Sequence, residues 1–423
     1  MGKQDAKVVV PRLRFPEFRE AGDWNRAPLG KLFSERTESG FIDLPLLSLM
    51  DKEGIIPQEE SNRKDNSNAD KSKYLRVVPG DIAYNTMRMW EGRSAYVGIE
   101  GLISPAYTVC APTGKANGRF FSYYFKTGLL VGQFRKYSQG LVKDTLNLKY
   151  ESFQHIEIAY PLDKDEQQKI SDCLTSLDEV IAAQGRKVEA LKAHKRGLMQ
   201  QLFPREGETR PRLRFPEFRD APEWIARPLG ELMVIGSSRR VHESDWTTTG
   251  VPFYRAREIV ALAKGEPITP LFISETLYRE FSGYTGEIEG GQLLVTGVGS
   301  IGIPYLVKSG DRFYFKDGNI IWLKNDQAEL TGNFLLRLFE SEYVQGQIAT
   351  MAGIGTVGTY TIDNARRTIV VFPTDKREQQ RIADCLASLD TQITAETNQL
   401  AALKTHKQGL MQQLFPAPEA ATG

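Results

Sequence analysis

The strongest constraint on the fold is that the chain repeats itself. Residues 11–18 read PRLRFPEF, and residues 211–218 read the same. The likeness continues loosely through Trp24 and Trp224 and through the PLG triplets that begin at Pro28 and Pro228. A second matched pair lies further on. Residues 166–204 read EQQKISDCLTSLDEVIAAQGRKVEALKAHKRGLMQQLFP, and residues 378–416 read EQQRIADCLASLDTQITAETNQLAALKTHKQGLMQQLFP. The first blocks are offset by 200 positions and the second by 212, so the second intervening stretch is 12 residues longer. The stretches between, 35–160 and 235–372, correspond only in scattered places, such as PGDIAYN at 79–85 against GGQLLVT at 290–296. Self-similarity on this scale marks repeated structural units. Like ends around unlike middles imply one scaffold carrying two different working surfaces.

Each late block has the pattern of one long helix. Apolar residues recur at Ile170, Leu174, Leu177, Ile181, Val188, Leu191, Leu198 and Leu202, with Gln184 and Lys195 filling two gaps. The second block repeats this at Ile382, Leu386, Leu389, Ile393, Leu400, Leu403, Leu410 and Leu414, with Glu396 and Lys407 in the gaps. Steps of four and three give the 3.5-residue period of a coiled-coil seam. Asp163 and Glu166, like Asp375 and Glu378, are spaced as capping boxes, and Pro204 and Pro416 stop the helices. Gly197 and Gly409 weaken the last turns and invite a bend. A narrow apolar stripe needs a partner, and the nearest one is its own copy. A pseudo-two-fold relation between the halves would pair the two helices antiparallel, with polar residues in the seam setting the register.

The middles read as strand-rich, mixed α/β (α+β) domains. DIAYN, YTVCAP, HIEIAYP, QLLVTG, FYFKDGN, IIWLK and RTIVVFP are short β-type runs separated by turn residues. Short helices are expected at 120–128 and 332–341. Polar and aromatic loops supply candidate contacts: Asn85, Thr86, Met87, Arg88, Trp90, Arg93 and Lys143 in the first middle, with a basic stretch from Arg63 to Arg76 nearby. The second middle offers Arg239, Arg240, Arg255, Arg257, Thr296, Ser300 and Tyr360. These residue types suit DNA: arginine pairs with guanine, asparagine with adenine, and lysine with phosphate. Tyr84 and Tyr107 fit a core better than a stacking surface.

Charge and motifs narrow the functional classes. The formal net charge is only +1, so any DNA-binding face is a local patch. Cys110, Cys173 and Cys385 form no CxxC pair or Cys/His cluster, so no metal site is expected, and their sparseness suits a reducing cytoplasm. No signal peptide or membrane-spanning run is recognisable. Gly297, Gly299 and Gly302 match GxGxxG, but Pro304 and a β-type run follow where a phosphate-binding helix would have to begin. The stretch from Ser104 to Tyr107, SPAY, is only a faint echo of an amino-methyltransferase motif. No P-loop occurs. His155, His194, His242 and His406 stand without a recognisable nucleophile or metal partner. No catalytic residue is assigned.

The order PRLRFPEF…W…PLG, PGDIAYNTMR, EGLISPAY, EQQKI…LD, HKRGLMQQLFP, then RLRFPEF, GSIG, EQQRI…LD and HKQGLMQQLFP, resembles the specificity subunits of type I restriction–modification systems. The resemblance covers nearly the whole chain and is sharpest in the repeated helices. It implies target-recognition domains at 1–162 and 205–374, long helices at 163–204 and 375–416 paired as an antiparallel coiled coil, and a disordered tail at 417–423. Each domain would read one half of a split, asymmetric double-stranded DNA site. The helices would hold two modification subunits, and restriction subunits would join them. S-adenosylmethionine, ATP and Mg are then expected on the partner subunits, with no cofactor on this chain and no membrane partner. The residues alone reach two unlike surfaces on a spacer; the resemblance supplies DNA. A non-catalytic adaptor presenting two protein-binding domains on a coiled coil stays open at this stage, as does a stand-alone methyltransferase or nuclease.

Overall fold

A computed structural model describes residues 10–50, 54–61, 67–353 and 358–416. The tail at 417–423, expected to be disordered, and Arg63 of the expected basic stretch lie outside the described residues. The rest divides into two compact units. One holds residues up to Gly185 together with those from Asn398 onward; the other runs from Arg186 to Thr397.

The first unit is built on a four-stranded antiparallel sheet in the order Phe33–Glu35, Tyr107–Pro112, Ile82–Asn85, Ser94–Tyr96. Side chains alternate across a strand, and here both faces are covered. Phe33, Ile82, Tyr84 and Cys110 join a large aromatic core, while Ala83 and Val109 join a smaller one with Leu47, Val77, Val97 and Ile103. Two helices complete the aromatic core. Gly118–Tyr124 begins at Asn117, whose side chain accepts from the amides of Arg119 and Phe120, and Gly128–Tyr137 begins at Thr127. A separate ribbon pairs Asn25–Pro28 with Glu157–Tyr160.

The second unit repeats this plan. Its sheet runs Val234–Gly236, Ile320–Lys324, Leu293–Thr296, Pro304–Leu306, again antiparallel. Ile225–Pro228 pairs with Ile369–Phe372. Helices Gly332–Glu340 and Glu342–Ala352 begin at Thr331 and Ser341. The units differ outside this frame. The first carries two ribbons, Leu47–Met50 with Gly54–Pro57 and Leu75–Val77 with Gly101–Ile103. The second carries a further four-stranded sheet, ordered Trp246–Thr247, Leu271–Ile273, Val251–Tyr254, Tyr314–Phe315, and helices Ala256–Ala263 and Glu275–Thr285. The extra length of the second middle falls in this addition.

The long helices run Lys164–Leu202 and Lys376–Leu414 and pass unbroken through Gly197 and Gly409. Each gives its first part to one unit and its last part to the other. Ile170, Leu174, Val188, Leu202, Ile382, Leu386 and Leu414 are buried, and the remaining apolar seam positions are half-buried. In the first unit Lys407 pairs with Asp178. In the second, Lys195 meets Asp390 at 2.6 Å and Lys187 meets Glu396 at 2.6 Å. Within each unit the numbering rises along one helix as it falls along the other, so the facing segments are antiparallel. The lysines in the seam gaps are therefore ion-pair positions, and the two copies make the same pair.

The EQQ that opens each long helix has a division of labour. Glu166 does not close a capping box: it takes a two-pronged ion pair from Arg14, at 2.7 and 2.6 Å, and a hydrogen bond from the Trp24 indole at 3.2 Å. Glu378 takes the same bonds from Arg214, at 2.7 and 2.7 Å, and from Trp224 at 3.3 Å. A guanidinium offers the buried carboxylate stronger, charge-assisted bonds than a backbone amide does. Neither half of the expected box is made: Asp163 and Asp375 instead cap by accepting from the amides of Asp165 and Arg377, one residue before the glutamates. Gln167 and Gln379, both fully buried, each bridge two backbone carbonyls and accept one amide. Gln168 and Gln380 reach the aspartate one turn on, at 2.7 Å each. The repeated PRLRF, Trp and EQQ are thus one lock, made twice. The helix ends close the same cores. Phe415 stacks on Tyr124 at 4.9 Å, and Phe203 packs on Trp224 and Phe334.

Candidate nucleic-acid interface

Both central sheets end in a hairpin loop at the same place. In the first unit Ile82–Asn85 turns through 86–93 into Ser94–Tyr96. In the second, Leu293–Thr296 turns through 297–303 into Pro304–Leu306. Asn85 and Thr296 are the last residues of equivalent strands, facing Tyr107 and Ile320 on the neighbouring strands. The loose match of 79–85 with 290–296 is therefore a true structural equivalence.

The first loop gathers six of the seven candidates of that unit. The Asn85 side chain accepts from the Met87 amide at 3.0 Å, an Asx-type turn that sets the loop's direction. Thr86 donates to the Ala106 carbonyl at 3.0 Å, and the Trp90 indole to the Met87 carbonyl at 3.0 Å. Met87 and Arg88 are exposed. Arg88 reaches Glu91 at 3.4 Å, a long, solvent-facing contact of the kind worth little, and Arg93 lies 3.7 Å from the same carboxylate. Lys143, exposed, stands on a second loop whose base is fixed to the first: the Leu148 amide donates to the Thr86 carbonyl at 2.8 Å. The nearby basic stretch makes no open patch at its end, because Arg76 is held by Glu38 and Glu100.

In the second unit the loop is made of glycines. Gly299 and Gly302 have φ of +76° and +78°, and a side chain at Gly297 would lie 2.6 Å from the Tyr360 carbonyl. The GxGxxG is thus a strand–turn–strand, and its glycines serve the turn. Ser300 is exposed at its tip. Thr296 and Tyr360 need correction as contact residues, because both side chains point inward. Thr296 is fully buried, donating to the Ser300 carbonyl and accepting from the Ile303 amide. Tyr360 is buried against Thr368, 2.6 Å away, and burial pushes its hydroxyl up to about 12. They shape the loop from beneath.

The four arginines of this unit fall into two sets. Arg255 and Arg257 both bond Glu258. Burial acts to raise that carboxyl, but hydrogen bonds from the two arginines hold it below its usual range. Arg255 is largely enclosed by this pair, whereas Arg257 remains exposed. Arg240 is exposed beside Asp317. Arg239 lies over Tyr284 at 4.3 Å and near Phe281 at 5.3 Å. Tyr284, 70% exposed, is a contact candidate that sequence reasoning missed. Its signal was the three-residue step from Phe281 along the helix Glu275–Thr285, which puts both rings on one face. Among the described residues no His, Cys, Asp and Glu group is placed to hold a metal, and no helix is long and apolar enough to cross a membrane.

No protein-family model matches the chain. Its sequence is similar to the specificity subunit of the type I restriction enzyme MjaVIII of Methanocaldococcus jannaschii, 22% identical over 361 residues, covering 81% of this chain and 82% of that protein. It is also similar to a putative type I restriction enzyme specificity subunit, S.HindORF215P, of Haemophilus influenzae, 25% identical over 175 residues, 41% of this chain and 42% of that protein. The fold is that of a type I restriction–modification S subunit from M. genitalium, with a TM-score of 0.57 at 15% identity over 97% of this chain and all of that one. A chain from a structure on complex assembly and conformational transition of the type I R-M system gives 0.58 at 15% identity, covering 93% and 98%.

Proposed function

We infer that this chain is the specificity subunit of a type I restriction–modification enzyme, and that its two units read the two halves of a split DNA site. One observation carries the reading. The same sheet position in two copies of one scaffold presents unlike loops: Met87, Arg88, Trp90 and Arg93 in one, and the glycine turn with Ser300 in the other. A symmetric partner would call for like surfaces; an asymmetric bipartite sequence calls for unlike ones. The exposed arginines suit base edges and phosphates. The similarity to proteins described as specificity subunits supports the same reading over that of a protein-binding adaptor. In this reading the chain performs no chemistry. Modification subunits would hold S-adenosylmethionine, and restriction subunits ATP and Mg, in the cytoplasm. Partner subunits would share the phosphate contacts, which fits a net charge of only +1.

The test exchanges residues 35–160 for the same segment of a relative and maps methylated adenines in cells that also carry the modification subunit. One half of the methylated site should change and the other should persist. Simultaneous change of both halves would defeat the two-reader reading. The purified chain given labelled S-adenosylmethionine and DNA should show no methyl transfer; transfer without a partner subunit would make it an enzyme.

A further inference from the structure

The first unit exposes an aliphatic tip for which the fold gives no use. Residues 139–147 form a closed loop, with Gln139 and Asn147 exchanging both backbone hydrogen bonds at 2.8 Å. At its end Leu141 is fully exposed and Val142 is 61% exposed. The loop is well braced. Thr145 donates to the Val142 carbonyl at 3.0 Å and accepts from the Val142 amide at 3.3 Å. Gly140 has a φ of +140°, and a side chain there would come within 2.5 Å of the Thr145 carbonyl, so only glycine fits. Holding a leucine and a valine out in water gives folding nothing. Single exposed apolar residues are ordinary, but two at the tip of a braced loop are a shaped projection.

The surroundings say what such a projection meets. Along the chain from 135 to 149 lie four exposed cations, Arg135, Lys136, Lys143 and Lys149, and one carboxylate, Asp144, with Glu151 just beyond. That is a marked local excess in a chain of net charge +1, and it suits a polyanion. The loop's foot is tied to the candidate interface, where the Leu148 amide donates to the Thr86 carbonyl, one residue before exposed Met87. We propose that Leu141, supported by Val142, is a wedge that enters between two base pairs of the half-site read by the first unit, while the flanking lysines and arginine hold phosphates. Inserted aliphatic side chains partly unstack a base step and bend the duplex, and they read sequence through how readily a step opens. The inference rests on the specificity-subunit reading and adds shape recognition to it.

The test uses the complete complex of this chain with its modification subunits, on DNA bearing the site found by methylome mapping. The half read by the first unit is identified by the 35–160 exchange. Permanganate reports unstacked thymines and diethyl pyrocarbonate unstacked purines. A flipped target adenine leaves its own reactive partner thymine, which serves as an internal mark of correct binding. Wild-type and Leu141→Met complexes should show one further reactive step. Leu141→Ala should lose that step, keep the flipped-adenine signal and bind on the order of tenfold more weakly. Because Leu141 is fully exposed, its truncation leaves folding intact. An alanine variant that matches wild type overturns the proposal. So does weaker binding with no change at any step, which makes the tip a groove contact only. Loss of co-purification with the modification subunits makes it a protein contact instead. If the wild-type complex neither binds nor methylates any specific site, the specificity-subunit reading fails first, and the wedge with it.

Discussion

At the scale of single residues, the decisive groups are Glu166 and Glu378. Each is a buried carboxylate with a two-pronged arginine partner and an indole donor, and each ties the start of a long helix to a head segment far away in sequence. Removing one partner of a buried pair strands the other charge, at a cost of roughly 3–5 kcal/mol. Glu166→Ala and Glu378→Ala are therefore expected to lower the urea midpoint of their units far more than Trp24→Phe, which gives up one hydrogen bond worth about 1 kcal/mol and some ring area. Equal shifts for the Glu166→Ala and Trp24→Phe chains would show that the ion pair is not what holds the head. The sequence displayed every member of this lock, because all are repeated, yet it did not show that they touch. Local spacing suggested that Glu166 bonds its own helix start. The true partner is Arg14, and nothing in helical or strand periodicity encodes a contact of that range. Thr296 and Tyr360 were misjudged for a related reason. A hydroxyl in a loop-like stretch reads as accessible until the sheet beneath it is known.

At the scale of elements, the long helices and central strands were legible because periodicity is a local property. A 3.5-residue stripe over five heptads and short β-type runs between turns need no knowledge of the tertiary fold. Register is harder, since a regular stripe fits several alignments equally well. Here it is set by polar residues at the gaps: Lys407 on Asp178, and Lys195 on Asp390. Asp178 also accepts from the Tyr123 hydroxyl at 2.8 Å, and Asp390 pairs with Arg337 at 2.6 Å. A charge exchange tests this. Asp178→Lys alone is expected to destabilise the first unit by about 1–2 kcal/mol through like-charge contact. Adding Lys407→Asp should recover part of that loss, and Tyr123 keeps the recovery incomplete. Thermal unfolding of the four chains in the cycle gives the coupling directly; zero coupling would mean the pair sets no register. Gly197 and Gly409 invited a bend, but both helices continue through them, and a side chain at either would meet nothing within 4 Å. Gly197→Ala and Gly409→Ala should each raise stability by roughly 1 kcal/mol, read as a higher melting temperature.

For the molecule as a whole, the helices are a length that can be changed. A heptad inserted after Val188 and another after Glu396, close to where Lys187 meets Glu396, keeps the seam in phase and lengthens both helices by about 10.5 Å. If they set the spacing of the two half-sites, the methylated sequence should gain about three base pairs between its halves. Those pairs also turn the second half by roughly 100°, so methylation should be weak at the longer spacer and lost at the native one. Full methylation at the unchanged spacer by a folded complex would remove the helices from that role. The division of the chain between its units also gives them different histories. The unit from Arg186 to Thr397 is one uninterrupted stretch, complete as soon as it leaves the ribosome. The other begins before that stretch and is completed only after it, because Leu414 and Phe415, which seal the core around Trp24, Phe120 and Tyr124, follow it in the chain. At about 5–20 residues per second, that aromatic core stands open for roughly ten to forty seconds of synthesis. During that time the early half of the nascent chain leaves uncovered the apolar surface that Leu414 and Phe415 later seal, and a ribosome that stalls in the second half releases a product whose first domain has no lid.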